Sequence, residues 1–279
     1  MKRALSWIFF TLLLSRTESS LAYCGVTTCG ALAGDQCATD TLGCTTDGVP
    51  LAWPLDSTVT VVCTDGCDEV TILALSGAVQ SWQEALCDGA APRISIVIAD
   101  DVPQNQERDI VLVEVIEEGW PYGASAVGRT TLEFGSTSGT LLRASIALNA
   151  EHFVLGFDTA GDEVDAQAVL THELGHALGL AHSSTLGATM QAEAEVGYIA
   201  ELSTLHEDDE QGLCALYPAA TPEPGAGGEG GGPSPSGQGG GGCSVAQPGA
   251  AVGAGWPAAL LILFALRRRR VSSIPRPAG

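Results

Sequence analysis

The sequence predicts an α+β fold, because runs of residues typical of strands alternate with three runs typical of helices. The strand candidates are short and rich in β-branched residues: residues 57–63, 94–99, 110–116 and 141–148. The helix candidates are residues 76–86, residues 164–178 and the segment after Thr204. About 195 residues remain once the two ends are set aside, which is enough for one globular domain with a sizeable core.

Each predicted helix has its own signal. The first is expected to turn three apolar side chains toward the core, namely Val79, Trp82 and Leu86. The second offers five such side chains, namely Ala166, Val169, Leu170, Leu174 and Ala177. The third is expected to begin at a T-x-x-E capping box formed by Thr204 and Glu207.

The second predicted helix carries the most specific motif of the chain, H-E-L-G-H over residues 172–176. Residues four apart differ by about 40° around a helix axis, so His172 and His176 point toward one site. Glu173 lies on the same side of the helix and can reach a water at a metal without being a ligand. Two metal ligands and one base therefore share a single helix face.

A third histidine completes the set. His182 follows His176 beyond Gly179, a residue that can take the left-handed conformation and end a helix, so the chain can turn back. Three histidine ligands leave one tetrahedral position of zinc open, which is typical of catalytic sites. We therefore predict one catalytic Zn²⁺ bound by His172, His176 and His182, with Glu173 as general base.

The segment HELGHALGLAHSS, followed by Met190, resembles the metzincin metalloproteases, and Ser183 after the third histidine resembles their matrixin branch. Residues 205–218, with paired aspartates, a glycine and a terminal Leu-Tyr, are similar to the closing helix of matrixin catalytic domains. Residues 59–62 and 79–86 resemble the first strand and first helix of that family. The resemblance spans about residues 50–218.

This resemblance implies a zincin-like catalytic domain, with a twisted mixed sheet, three main helices, an active-site cleft and Met190 as a hydrophobic floor beneath the metal. The chain departs from animal matrixins because no PRCGxPD-like segment precedes the domain, so latency through a propeptide cysteine is not supported. Ca²⁺ is possible but unsupported. The carboxylates just before the second helix fit the positive end of a helix dipole better than calcium: Asp158, Asp162, Glu163 and Asp165.

The first part of the chain points to export. Residues 1–22 have the pattern of a signal peptide, with Lys2 and Arg3 before a short apolar run and small residues at the cleavage spacing. Residues 23–50 form a short cysteine-rich segment, and residues 51–218 form the catalytic domain. Nine cysteines fit an oxidising compartment.

The cysteine pairing is open at this stage. If Cys243 belongs to the C-terminal segment, eight cysteines remain for four disulfides, whose connectivity the sequence does not reveal. Cys63 and Cys67 would also allow a structural zinc site, but no second Cys/His pair lies near them, so a disulfide is favoured.

The C-terminal part has three successive features. Residues 219–242 form a Gly/Pro/Ser-rich linker. Residues 243–279 contain Cys243, an apolar stretch over 250–266 that is predicted to be a helix, and four arginines at 267–270. This order resembles the MYXO-CTERM sorting signal of myxobacteria, which implies processing near the cysteine and display at the bacterial cell surface, anchored to the outer membrane. A plain single-span membrane anchor is the alternative.

Charge narrows the class of partner. Between the two ends, only Arg93, Arg108, Arg129 and Arg143 oppose all but one of the 33 acidic residues. Such a surface repels nucleic acid, so we expect a protein or peptide substrate, no nucleic-acid partner and a monomer. The predicted function is a secreted or surface-displayed zinc endopeptidase. A noncatalytic zinc-containing binding module is the alternative.

Overall fold

The computed structural model describes residues 23–29, 36–157, 163–195 and 202–220, together with the backbone of residues 258–267. Its elements in chain order are β1 (Ser57–Asp65), α1 (Glu69–Gln83), β2 (Ile94–Ala99), β3 (Ile110–Ile116), β4 (Ala126–Phe134), β5 (Leu141–Asn149), β6 (Val154–Gly156), β7 (Glu163–Asp165), α2 (Ala166–Ala177), β8 (Glu193–Glu195), α3 (Glu207–Leu216) and β9 (Ala258–Arg267).

The main sheet is mixed. Its seven strands lie in the order β2-β1-β3-β5-β4-β9-β8. The first four of these strands are parallel to one another, whereas β4 is antiparallel to both of its neighbours. Strands β6 and β7 form a separate parallel pair. The predicted α+β class, with a mixed sheet and three main helices, is confirmed.

Two tryptophans join the helices and the N-terminal part of the domain into one core. The Trp82 side chain on α1 is buried and its indole Nε1 donates to the carbonyl of Thr171 on α2 at 2.8 Å. The buried Trp53 indole donates to the carbonyl of Ala177, the last residue of α2, at 2.9 Å. Because a buried indole N–H needs a partner, these two bonds fix where α2 lies.

The first helix begins earlier than predicted. The carboxylate of Asp68 caps it by accepting a hydrogen bond from the Thr71 amide at 2.8 Å, so α1 starts at Glu69. Val79 and Trp82 face the core as expected. The expectation for Leu86 is wrong: α1 ends at Gln83, and the Leu86 side chain is exposed.

The third helix does not use the predicted capping box. Its N-cap is His206, whose backbone N–H donates to the carboxylate of Asp209 at 2.9 Å. The carbonyl of Thr204 instead accepts a hydrogen bond from the Thr189 hydroxyl at 3.0 Å. Thr204 thus belongs to the loop that precedes α3 and is not its N-cap, so the prediction of a T-x-x-E capping box is wrong.

The apolar stretch near the C-terminus is a strand where the sequence predicted a helix. Its described part, β9, pairs antiparallel with β4 and parallel with β8. A short apolar run does not distinguish strand from helix by periodicity, and pairing along β4 satisfies backbone groups that an edge strand leaves unpaired. Among the described residues, none of the helices combines the length and apolar character needed to cross a membrane. The sorting signal remains a prediction.

Eight cysteines form four disulfides, as predicted. The pairs are Cys24–Cys44, Cys29–Cys37, Cys63–Cys67 and Cys87–Cys214. The first two lie within the N-terminal cysteine-rich segment, and the fourth joins the loop after α1 to α3. The bond between Cys63 and Cys67 replaces the alternative of a zinc site at these residues.

Candidate metal centre

Helix α2 carries three of the four predicted site residues into the interior. The Asp165 carboxylate caps the helix by accepting from the Ala168 amide at 3.0 Å. His172, Glu173 and His176 are each 0% exposed. Such complete burial of polar side chains on one helix requires that they be paired with one another, with backbone or with a bound ion.

The fourth site residue returns to the first three because α2 ends sharply. Gly179 has a φ of +100°, and a Cβ atom there would lie 2.2 Å from the Leu51 carbonyl oxygen. Only glycine fits this left-handed turn at such close approach to a neighbouring backbone. The chain then reverses, and the His182 ring comes within 4.8 Å of the His176 ring, centroid to centroid.

The three imidazoles surround one point. One ligand nitrogen from each of His172, His176 and His182 lies within 4.8 Å of the other two. The Nε2 atoms of His176 and His182 are 3.2 Å apart, which matches the edge of about 3.3 Å expected for a tetrahedron with Zn–N bonds of about 2.05 Å. Within the described ranges, this is the only cluster of three or more metal-ligating side chains.

Backbone carbonyls orient two of the rings. His172 Nδ1 lies 2.6 Å from the carbonyl oxygen of Thr189, and His176 Nδ1 lies 2.8 Å from that of Leu180. A carbonyl only accepts hydrogen bonds, so both Nδ1 atoms carry the proton and both Nε2 atoms carry a lone pair that can bind a metal. Support of this kind behind a ligating histidine is the usual arrangement at zinc sites.

The electrostatics keep the histidines neutral. Burial lowers the pKa of His172 to about 3 and that of His182 to about 4, and it holds the pKa of His176 well below its ordinary value. Neighbouring histidines reinforce the shifts of His172 and His176. Neutral imidazole is the form that binds a metal, so the three residues fit a divalent cation at neutral pH.

Glu173 is held by strand β4. The Thr130 hydroxyl donates to Glu173 Oε2 at 2.5 Å, whereas the buried Oε1 has no hydrogen-bond partner within the protein. Burial raises the pKa of Glu173 to about 8, and the hydrogen bond from Thr130 and the charge of Arg129 oppose that rise. The carboxyl group can therefore exchange a proton near neutral pH, at an oxygen that faces no protein partner.

Met190 packs against helix α2, and its role as a floor beneath the metal stays a prediction. It is 2% exposed, and a Cβ atom at Gly175 would lie 2.2 Å from its sulfur. Gly175 lies between His172 and His176 in the sequence. Because it has no side chain, the Met190 side chain can pack directly against α2 at this position. Met190 thus packs as an apolar side chain against the helix that carries His172 and His176.

A carboxylate on α3 holds the loop that supports His172. Asp209 is 1% exposed and accepts from the amides of Thr189, Met190 and His206 at 2.7, 3.0 and 2.9 Å. The neighbouring Asp208 accepts from the Ser183 hydroxyl at 2.6 Å. The paired aspartates thus connect α3 to both sides of the histidine cluster, a role that sequence alone did not assign.

The structure brings together the three predicted histidine ligands, namely His172, His176 and His182. Glu173 lies on the same helix, next to His172, and its role as general base stays a prediction. The structure adds Thr130 and Gly128, which lie on a strand that the sequence analysis missed. Strand β4 contains glycine and arginine and lacks clean alternation, so its only signal was the run of Thr-Thr-Leu-Glu-Phe.

The carboxylates considered for calcium are only partly described. Asp158 and Asp162 lie outside the described residues. Glu163 begins β7, and Asp165 is the N-cap of α2, in agreement with the prediction that this residue serves the helix end.

Part of the chain is similar to known metalloproteinases. Residues 117–218, from the loop before β4 to the end of α3, match the family model described as matrixin. Matrix metalloproteinase-25 of Mus musculus is 31% identical over 137 residues, covering 44% of this chain and 20% of that protein. This chain therefore spans about one fifth of the length of that relative.

Two solved structures of myroilysin also align with the chain. One is 15% identical, covers 61% of this chain and 97% of the other, and has a TM-score of 0.38. The second, a crystal structure, is 14% identical, covers 60% and 86%, and has a TM-score of 0.37. The family match places the histidine motif, strand β4 and the paired aspartates within one matrixin-like segment.

Proposed function

We propose that this chain is an exported zinc-dependent endopeptidase, with His172, His176 and His182 as zinc ligands and Glu173 as general base. The observation that carries the proposal is the buried Oε1 of Glu173, which has no partner and belongs to the residue next to the first histidine of the cluster. An unpartnered buried oxygen is costly, and a reacting water at the metal would satisfy it. A purely structural zinc site has no use for this carboxylate.

The chemistry follows from the donor set. His172, His176 and His182 would hold a Zn²⁺ ion, which would lower the pKa of a water molecule and polarise a carbonyl group. Glu173 removes a proton from the attacking water as the new C–O bond forms. When the C–N bond breaks, Glu173 returns that proton to the leaving nitrogen, so that one carboxyl and one amine are produced. The hydroxyl of Thr130 holds Oε2 and leaves Oε1 to carry the proton.

The neighbourhood of Glu173 supports an extended peptide as substrate. Thr130 of β4 donates a hydrogen bond to the Glu173 carboxylate. Gly128 of the same strand lies so close to Glu173 that a Cβ atom there would be 2.5 Å from Oε1. On the side away from β5, β4 pairs antiparallel with β9 from Ala126 to Phe134. This side of β4 can therefore bind an extended chain. A substrate strand would bind there through main-chain hydrogen bonds and would take the place of β9.

The remaining parts of the proposal rest on the sequence. We propose that residues 1–22 direct export and that residues 243–279 sort or anchor the protein at the bacterial surface. Four disulfides support an oxidising compartment. The strong acidic excess favours neutral or cationic protein substrates over anionic polymers, and we propose a monomer.

The test is hydrolysis of casein and of a peptide library by the full chain and by residues 23–218, each loaded with zinc. We expect cleavage in the presence of zinc, loss of cleavage with a chelator and recovery when zinc is added back. Residues 23–218 lack β9 and should cleave at least as fast as the full chain. A folded, zinc-loaded protein that cleaves no peptide would instead support the noncatalytic binding module.

A further inference from the structure

The position of His182 depends on a short turn that lies outside α2. His182 follows Gly179, Leu180 and Ala181, and none of these three residues belongs to the helix. The carbonyl of Leu180 also orients His176. A shift of this turn would therefore disturb two of the three imidazoles. It would move His182, which follows the turn directly, and it would break the hydrogen bond that orients His176.

The turn formed by Gly179, Leu180 and Ala181 is bonded to the N-terminal cysteine-rich segment. Gly25 forms an antiparallel bridge with Leu180, the Val26 amide donates to the Gly179 carbonyl at 2.8 Å, and the Ala181 amide donates to the Cys24 carbonyl at 2.8 Å. The hydrogen bond between Ala181 and Cys24 therefore lies directly before His182 in the sequence. On the other side of His182, the Ser183 amide donates to the Met190 carbonyl at 2.7 Å. The ligand is thus bracketed by two backbone hydrogen bonds.

The same N-terminal residues are tied to the catalytic domain on their opposite side. The Leu51 amide donates to the Val26 carbonyl at 2.8 Å, and the Thr28 amide donates to the Val49 carbonyl at 2.9 Å. Residues 24–28 therefore lie between residues 49–51 and the turn before His182, and backbone hydrogen bonds join them to both. Val26 is 6% exposed and belongs to the main hydrophobic core.

A disulfide bond joins residues 24–28 to the rest of the N-terminal segment. Cys24 is 7% exposed and is bonded to Cys44, twenty residues along the chain. Cys44 lies in a loop fixed by the Asp40 carboxylate, which accepts from the Cys44 amide at 2.9 Å. A segment this small has little core of its own, so a covalent bond contributes much of its order. Among the described residues, no backbone hydrogen bond joins Cys29 or Cys37, which form the second disulfide of the segment, to the turn.

We propose that the Cys24–Cys44 disulfide is a positioning element for the metal centre: it holds residues 24–28 against the Gly179–Ala181 turn and thereby sets the affinity of the third ligand for zinc. This inference rests on the metal-binding half of the proposed function and not on peptide hydrolysis. The N-terminal segment is accordingly part of the site and not only a cap over the domain.

The test compares two double variants of the full chain, C24A with C44A and C29A with C37A. The zinc dissociation constant is measured by competition with a chromogenic chelator, and the coordination geometry is followed by the visible spectrum of the Co²⁺ form. Removing the first pair should weaken zinc binding about 10-fold or more and change the Co²⁺ spectrum, as loss of support behind a ligand does. Removing the second pair should leave both unchanged.

The unfolding midpoint of the metal-free proteins separates positioning from general stability. If the first double variant unfolds at a lower temperature but, while folded, binds zinc as tightly as wild type with the same Co²⁺ spectrum, the inference is overturned. Should that variant fail to fold, Val26→Pro provides a second test, because it removes the hydrogen bond to the Gly179 carbonyl while both disulfides stay intact. Unchanged zinc affinity in Val26→Pro would also overturn it.

These outcomes are independent of peptide hydrolysis. A wild-type protein that binds zinc tightly, loses affinity when the Cys24–Cys44 pair is removed and cleaves no peptide would support the inference while contradicting the proposed protease function.

Discussion

Strand β4 approaches α2 so closely at Gly128 that a Cβ atom there would lie 2.5 Å from Oε1 of Glu173. The strand backbone therefore forms one wall around the carboxylate, and the absence of a side chain at this position leaves room for its free oxygen. Two residues further along, the hydroxyl of Thr130 fixes the other oxygen. The position of Glu173 is thus determined by a strand that is distant in sequence.

Gly128→Ala is expected to displace the carboxylate without unfolding the domain, because the three nearest atoms that the new Cβ would meet all belong to the Glu173 side chain and none to the backbone. Misplacement of a catalytic group by about 1 Å can cost about 10²-fold in rate, so we expect kcat for peptide hydrolysis to fall on that order while zinc content is retained. Gly123→Ala is the matched control, since a Cβ atom there meets nothing within 4 Å. Equal loss of activity in both variants would contradict this account.

Thr130→Val should change the pH profile of hydrolysis. The hydrogen bond from Thr130 lowers the pKa of Glu173, so its loss should raise that pKa further. A general base must be deprotonated, and the acidic limb of kcat/KM should therefore move to higher pH. Thr131→Val, on the opposite face of the same strand, should leave the profile in place. An unchanged acidic limb in Thr130→Val would show that this hydroxyl does not act on the base.

Asp209→Asn is expected to loosen the support of His172. The carboxylate accepts from three backbone amides, and an asparagine can place only one oxygen among them. We expect a loss of about 1–3 kcal/mol in the free energy of unfolding and zinc binding weakened about 10-fold or more. Glu207→Gln on the exposed part of α3 should change neither quantity, and a similar effect in both variants would exclude a specific role for Asp209.

The metal-free protein should become less stable as the pH falls below about 6.5. The folded-state pKa values of His172 and His182 are lowered to about 3 and about 4, and that of His176 is lowered as well, so the unfolded chain binds these protons first. Glu173 acts in the opposite direction, because its raised pKa of about 8 makes the folded state hold one proton more. Three histidines outweigh one glutamate, so the unfolded chain binds more protons than the folded chain near pH 5.5.

The measurement for this prediction is the unfolding midpoint of the chelator-treated protein between pH 7 and pH 5. The midpoint should fall with pH in the metal-free form and should fall less when zinc occupies the histidines, because bound metal competes with protons. A midpoint that is independent of pH over this range would contradict the account of buried neutral histidines.

The histidine cluster could be predicted from the sequence because its geometry depends on residues that are close in sequence. The spacing of His172 and His176 on one helix and the glycine before His182 specify the arrangement almost without tertiary information. The mixed α+β sheet and the four disulfides were also predicted in kind. The pairing of the cysteines was not, because it depends on which chain segments fold against each other.

What the sequence did not reveal are the contacts made between distant segments. Strand β4 has no clear alternation, so neither Gly128 nor Thr130 could be assigned to the surroundings of Glu173. The buried role of Asp209 depends on three amides in two other segments. The strand β9 was missed because a short apolar run satisfies both helix and strand patterns until a pairing edge is available.

The most direct test of the central claim is Glu173→Ala in the zinc-loaded full chain, measured for zinc content and casein hydrolysis on the same sample. We predict about one zinc ion per chain, as in wild type, together with a loss of about 10²-fold or more in kcat, because the ligands remain and the base is gone. Hydrolysis at the wild-type rate by a variant that retains its zinc would contradict the assignment of Glu173 and the mechanism built on it.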